Sequence, residues 1–179
     1  MDLRSLFSSG LLGLLGPLLL LPACSTCVFE VTYAPPAALG DGRDGSLLLD
    51  GDTLQINTCY PVVAATGGGL DLAVGPLLDV GDVLLVQQVQ AEFATSGDLS
   101  PVENATAGIW ELAFVAGIDA NTVHVVPSLT GTYTSAVSTS GGAHAQACHV
   151  PQFEDLVLDN GARVVSQPWD GRTGGIVAL

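Results

Sequence analysis

The sequence contains no lysine, and its only strongly basic side chains are four arginines. They are opposed by 18 aspartates and glutamates, which gives a formal net charge of −14. Such a surface repels the phosphates of nucleic acid and of anionic lipid headgroups, so neither is expected as a partner. The simplest interpretation is a solvated acidic exterior, suited to an extracellular or salty setting.

The sequence also lacks the common signatures of enzymes. It has no G-x-S-x-G elbow, no H-E-x-x-H zinc motif, no P-loop and no dinucleotide fingerprint. Its nearby carboxylate pairs, Asp50 with Asp52 and Glu154 with Asp155, lie in turn or strand contexts that are typical of solvated surface. We therefore predict a protein that is not an enzyme, with no catalytic residues and no cofactor.

Long apolar runs are scarce in this sequence. The main one is Leu11 to Leu21, near the N-terminus. This run is too short to span a bilayer as a helix, but it suits the apolar region of a signal peptide. The following Leu21-Pro22-Ala23-Cys24 resembles the lipobox of a bacterial lipoprotein leader, in which a small residue precedes the acylated cysteine. This resemblance implies that residues 1–23 are removed and that Cys24 carries the lipid anchor. Ser25 then implies sorting to the outer membrane. The alternative is an ordinary cleaved signal peptide with Cys24 as a plain thiol.

Four cysteines are present, at positions 24, 27, 59 and 148. An exported chain meets an oxidising compartment, so pairing is expected. If Cys24 is acylated, we predict a Cys59–Cys148 disulfide, because both cysteines lie in strand-like segments. Cys27 is then left over. A Cys24–Cys27 bridge is the alternative, and it requires that no lipid is attached.

Two patterns suggest metal ligands, but neither is complete. In a strand, His144 and Cys148 share one face while His149 points to the other, and the chain offers no second ligand pair of zinc type. Gly42-x-Asp44 is a fragment of the calcium-binding nonapeptide repeat, but it occurs once. We therefore predict no metal site, and we interpret the second pattern as a plain Gly/Asp corner.

Short strands, glycine-rich corners and the lack of a helical period indicate an all-β fold. The segments Leu47 to Asn57 and Leu156 to Ser166 share one pattern: an apolar strand, an Asp, a turn with Gly, and a second alternating strand. We predict that they are two rungs of one β-solenoid, separated in sequence but stacked in space. Pro35-Pro36 marks the end of a tether that precedes them.

Five or six short strands with hairpin spacing lie between these rungs and predict a small, closed or nearly closed β-barrel. On one of its strands we expect Trp110, Leu112 and Phe114 to face the core and Glu111 to face solvent. His124 is interpreted as a structural imidazole. The predicted organisation is a signal peptide (1–23), a tether (24–38), a first rung (39–58), the barrel (59–150) and a second rung (151–179).

Several motifs occur together in one order. They are Gly81 to Gln90 (a Gly-Asp opening an aliphatic strand that ends in Gln), Gly108 to Glu111, Asn121-Thr122, Ala145 to Phe153, and the Trp-Asp-Gly-x-Thr-Gly-Gly of Trp169 to Gly175. With these motifs the chain resembles the N-terminal region of large bacterial surface proteins of the myxobacterial type. In those proteins a right-handed parallel β-helix follows.

This resemblance implies a lipid-anchored, adhesin-like structural module that caps a β-helix at the outer membrane or cell surface. It supplies no catalytic residues. The final Ile176 to Leu179 is expected to begin a strand that the sequence does not finish, as in a truncated fragment or in a stand-alone module with an open strand edge.

Two alternatives remain. A stand-alone lipoprotein that binds a glycan or a protein would be favoured by exposed aromatic side chains around Trp110, Tyr133 or Trp169. A polysaccharide-processing enzyme would require a concave acidic site that includes a basic residue. Arg163 or Arg172 would then lie near the Glu154–Asp155 pair.

Overall fold

Extended segments provide the regular structure of this protein. A computed structural model describes residues 40–91, 107–135 and 142–179, and within these ranges it contains ten strands and no helix, so the all-β prediction is confirmed there. Across the same ranges, no helix has the length and hydropathy needed to cross a membrane. The predicted leader and tether, with Cys24 and Cys27, lie outside the described residues. The strands are β1 (Ser46–Asp50), β2 (Thr53–Gln55), β3 (Cys59–Thr66), β4 (Gly69–Leu72), β5 (Val83–Gln90), β6 (Trp110–Asp119), β7 (Thr122–Val126), β8 (His144–Val150), β9 (Asp155–Asp159) and β10 (Arg163–Val165).

The first two and last two strands form a stack of two coils, here called the coil stack. Strand β1 pairs in parallel with β9, with Leu47 opposite Leu156, and β2 pairs in parallel with β10. The two segments that share the pattern are therefore stacked in space, and this prediction is confirmed. We call the coil of β9 and β10 the upper coil and that of β1 and β2 the lower coil. The upper coil has one more residue in its turn, where Asn160 and Gly161 both take positive φ. The Asn160 side chain donates a hydrogen bond to the Asp50 carboxylate of the coil below.

The six strands between the two coils pair as one antiparallel sheet in the order β3-β4-β7-β6-β5-β8. Since β8 also pairs with β3, the sheet closes on itself as a barrel. The chain therefore leaves the first coil, completes the sheet and returns to place the second coil on the first. The domain boundaries and the assignment of the coil stack to a right-handed β-helix stay predictions.

The interior of this sheet is filled by aliphatic and small side chains, and it corrects one expectation. On β6, Ala113 and Val115 are fully buried, while Trp110 and Leu112 are exposed, so the predicted core face is wrong. A closed six-stranded sheet has a narrow interior, and the small Ala113 and β-branched Val115 fit it without displacing the larger side chains of the other strands. Its other core members are Tyr60, Val62, Leu70, Leu72, Leu78, Leu84, Val86, Val123, Val125, Leu129, Tyr133, Ala145 and Ala147.

The predicted Cys59–Cys148 disulfide is present and joins positions that lie opposite each other on β3 and β8. It closes a loop with a sequence separation of 89. Among the described residues no cysteine is free. The disulfide lies where the chain enters and leaves the six-stranded sheet, so it holds these two points together.

Asn57 makes a second connection at this place. Its buried amide donates hydrogen bonds from Nδ2 to the carbonyls of His149 and Ala178, both at 2.9 Å, and accepts one at Oδ1 from the Ala178 amide. The predicted strand at Ile176 to Leu179 is not part of a ladder. The Asn57 side chain takes the place of a neighbouring strand for Ala178.

Opening the disulfide should destabilise the protein substantially. In the chain-entropy model, a cross-link over this separation contributes roughly 4 kcal/mol. We expect the C59A/C148A double variant to lose about that much free energy of unfolding in urea titrations. The parent chain in reductant should match the variant. An equal unfolding midpoint for the oxidised parent and the variant would contradict this expectation.

Candidate functional site

Glu111 on β6 is the carboxylate with the most hydrogen-bond donors among the described residues. It accepts hydrogen bonds from the amides of Thr130 (2.9 Å) and Gly131 (2.6 Å) and from the hydroxyls of Thr130 and Tyr133 (both 2.9 Å). The prediction that Glu111 faces solvent is wrong. Since the faces of β6 are reversed, Glu111 points towards the barrel interior and is half-buried.

The surroundings of Glu111 keep it ionised. Burial raises the pKa of its carboxyl group, but the hydrogen bonds from Thr130, Gly131 and Tyr133 outweigh burial and lower the pKa from 4.5 to about 2. Burial raises the pKa of Tyr133, and so does its hydrogen bond to the negative Glu111. A carboxylate this acidic and a phenol this weakly acidic are poor proton donors and acceptors near neutral pH. The pair therefore serves structure better than acid–base catalysis.

Gln88 on β5 holds the same segment from the other side. Its buried amide donates to the carbonyls of Thr134 (2.8 Å) and His144 (3.1 Å) and accepts from the Thr134 amide (2.8 Å). Between Glu111 and Gln88, residues 129–135 pack into the sheet, with Leu129 and Tyr133 in the core. In the described residues, the interior of the sheet is thus occupied by the chain's own side chains.

The Trp-Asp-Gly-Arg-Thr-Gly-Gly motif forms a loop that lies on the outer face of β8. Gln146 of β8 accepts a hydrogen bond from the Gly174 amide at 2.8 Å. The Asp170 carboxylate accepts hydrogen bonds from the backbone amides of Arg172 and Thr173. Hydrogen bonds from the Thr173 backbone chiefly lower the pKa of Asp170. Gly174 has φ of 101°, and a Cβ there would overlap the carbonyl oxygen of Pro168. Glycine is therefore required at this position.

The residues considered as metal ligands are not assembled into a site. Cys148 is in the disulfide, and no group of three or more His, Cys, Asp or Glu in the described ranges could hold a metal ion. His144 is buried beside this loop. Burial, together with the charge of nearby Arg172, lowers its pKa, while Asp170 opposes the shift. His124 is exposed on β7.

The residues required by the enzyme alternative are also apart from one another. Glu154, Asp155 and Arg163 are exposed, and Asp155 accepts a hydrogen bond from the Ser46 hydroxyl. In the part of the chain that the structure describes, no ion pair joins Arg163 or Arg172 to these carboxylates.

Sequence reasoning missed Arg43, which links the first coil to the barrel. Its guanidinium pairs with Asp82 (3.1 Å) and Asp41 (3.7 Å) and lies against the backbone of Gly81, where a Cβ would be 2.5 Å from Nη1. The carboxylate of the neighbouring Asp44 accepts a hydrogen bond from the backbone amide of Gln152 at 2.6 Å. The Gly42-x-Asp44 corner is thus used for contacts within the chain. The Gly81-Asp82 turn was visible in the sequence, but its partner 39 residues away was not.

Two of the three aromatic side chains named by the binding alternative are exposed. Trp110 and Trp169 are 59% and 46% exposed, whereas Tyr133 is buried against Glu111. Trp110 lies on the outer face of β6, directly opposite Gln87 of β5. This outer face is the described surface best equipped to stack a ligand.

Comparison with known proteins gives one weak likeness. No family model matches the chain, and no curated protein matches it. Among solved structures, the Gp54 tailspike of Acinetobacter baumannii bacteriophage AP22, solved in complex with A. baumannii capsular saccharide, is similar over 68% of this chain with 16% identity and a TM-score of 0.32. The match spans 22% of the tailspike chain. A likeness at this level establishes neither a shared fold nor a shared function.

Removing the charge of Glu111 should destabilise the protein. In E111Q, one side-chain oxygen becomes an NH₂ group that faces the donors of Thr130, Gly131 and Tyr133. We expect a loss of about 1–3 kcal/mol in the free energy of unfolding at pH 7. The matched control is E154Q, since the Glu154 side chain is exposed. It should change stability by about 0.5 kcal/mol or less.

The pH dependence of this loss follows from the lowered pKa. Because the folded-state pKa of about 2 lies below the ordinary 4.5, the charge of Glu111 stabilises the fold fully above pH 4.5. That contribution declines as the pH falls through about 2. The difference in stability between parent and E111Q should therefore shrink over this window in urea titrations. A difference that stays constant down to pH 2 would contradict the role of the charge.

Proposed function

We propose that this protein is a lipid-anchored structural module of the bacterial cell surface, non-catalytic and adhesin-like, whose coil stack begins a right-handed parallel β-helix. The observation that carries the proposal is the stack itself. Two segments far apart in sequence pair in parallel and in register, with turns aligned. Parallel stacking of short coils is how a β-solenoid buries its faces, and it requires further coils.

The two coils are unequally covered, which supports a further coil on the upper one. Leu49 of β1 and Leu158 of β9 are paired and occupy the same position in their coils. Leu49 is 9% exposed and Leu158 is 44% exposed. A third coil stacked on β9 would cover Leu158 as β9 covers Leu49, and each fully buried leucine contributes about 1.5–3 kcal/mol.

Charged side chains flank the open edge of the second coil. Strand β9 begins and ends with exposed aspartates, Asp155 and Asp159. Flanking charges of this kind are a common protection of an open strand edge.

A stand-alone lipoprotein that binds a glycan or a protein is the second candidate, and the exposed Trp110 favours it. A polysaccharide-processing enzyme has less support, because the required arginines and carboxylates are not paired in the described residues. Export and anchoring rest on the leader-like sequence before Cys24.

Thiol labelling tests the proposed further coil. The variant L158C should react with a maleimide in the 179-residue chain but be protected in the protein isolated from the cells that make it. The matched control is L48C on the lower coil, since Leu48 is also exposed, and it should react in both. Equal reactivity of L158C in both preparations would refute a further coil. Background labelling is measured on the parent chain.

Detergent partitioning tests the anchor. The native protein should enter the detergent phase, and C24S should move to the aqueous phase, because two or more acyl chains give stable anchoring while none gives very little. Intact mass should show the acyl chains on a product that begins at Cys24. An aqueous parent protein of mature size with a free Cys24 thiol would sink the anchoring proposal.

A further inference from the structure

An aromatic side chain lies exposed on a regular part of the barrel, where burial would have been the favourable arrangement. Trp110 is 59% exposed, and Leu112, two residues on and on the same face, is 40% exposed. Burial of a side chain of this size stabilises other folds, and here most of that contribution is not used. The two side chains form an apolar surface on β6.

One polar side chain and one further leucine continue this surface on the neighbouring strand. Gln87 of β5 lies directly opposite Trp110, and Leu85 lies opposite Leu112. Val86 and Gln88 are both fully buried in the interior. Since side chains alternate along a strand, Gln87 between them points outward. Its Oε1 accepts a hydrogen bond from Gln146 at 3.4 Å, which orients the amide along the sheet. We call these four residues, Trp110, Leu112, Gln87 and Leu85, the Trp110 strip.

A raised ridge borders the strip. Gln146 of β8 is opposite Gln87 and carries Gly174 of the loop above it. With strands about 4.8 Å apart, the ridge lies about 10 Å from Trp110. That spacing accommodates one sugar ring lying flat beside the ridge. The hydrogen bonds of Asp170 and Gln146 fix the ridge, so the ridge requires little ordering on binding.

The net charge of the whole chain favours a neutral occupant. The chain has 18 acidic and only four basic side chains, which disfavours an acidic glycan. The two Asp170 oxygens accept hydrogen bonds within their own turn. What the strip offers is a large aromatic face next to an amide that can donate and accept hydrogen bonds. The apolar face of a neutral pyranose stacks on the first, and its hydroxyls bond to the second.

We propose that the Trp110 strip binds a neutral saccharide chain, with Trp110 stacking on a sugar ring and Gln87 hydrogen-bonding its hydroxyls. This goes beyond the structural role proposed first, and it gives the glycan-binding candidate a site and a ligand class. It requires neither the anchor nor a further coil, so the two proposals can fail separately.

Fluorescence tests the strip directly, because the chain has two tryptophans. In a W169F background Trp110 is the only one, and its emission should change saturably with hexamers of glucose, mannose or N-acetylglucosamine, at least one of which binds. Hexagalacturonate, an acidic hexamer, should bind about tenfold more weakly or not at all. Binding of the hexamers to variants that lack Trp110 is followed by calorimetry.

Matched variants separate binding from folding. W110A and Q87A should each weaken binding, W110A by about tenfold or more, while W110F keeps most of it because the aromatic face remains. The control is V63A, an exposed aliphatic residue on the outer face of β3, which should bind like the parent. Unchanged urea midpoints exclude unfolding, and W110F decides the matter if W110A fails to fold.

Three results would overturn the proposal. They are a Trp110 emission that no neutral hexamer changes, hexagalacturonate binding as tightly as the neutral hexamers, and W110A binding as tightly as the parent. Self-association of the chain that W110A abolishes, without saccharide binding, would instead identify the strip as a contact between copies.

Discussion

The parallel pairing of β1 with β9 is the interaction on which the rest of the architecture depends. It joins segments 109 residues apart, from Ser46 to Asp155, so the chain between them must return to its starting point. Closing so long a loop has an entropic cost. The barrel removes much of this cost, because its first strand β3 and last strand β8 are neighbours. The disulfide, Asn57 and the Arg43–Asp82 pair hold the same junction.

How far the sequence predicts this structure depends on the range of each interaction. The coil stack was predictable because Leu47 to Asn57 and Leu156 to Ser166 repeat one pattern. The structure pairs β1 with β9 and, after a shift of one residue in the turn, β2 with β10. The disulfide was predicted from the expectation that the chain is exported and from the strand-like settings of its two cysteines, and it is present. Both predictions relied on patterns within short segments of the sequence.

The orientation of β6 was not predictable in the same way. A period of two defines two faces, but it does not say which one is inside. Size suggested Trp110, Leu112 and Phe114 for the core, whereas the narrow closed sheet accepts Ala113 and Val115. The Glu111 site was missed for the same reason, since its donors lie in the loop at 130–133, away from any recognisable motif. Hydrogen-bond partners that meet only when the barrel closes are not marked by any pattern in a single sequence.

The adjacency of β3 and β8 also bears on the order in which the molecule folds. Antiparallel hairpins such as β3–β4 and β6–β7 join residues close in sequence and form early, whereas the parallel coils have no short-range contacts with each other. Once the barrel has closed, the ends of the two coils are held a strand's width apart, and their pairing becomes a local event. On this argument the long-range pairing of the two coils depends on prior closure of the barrel, and not on a direct encounter of segments 109 residues apart.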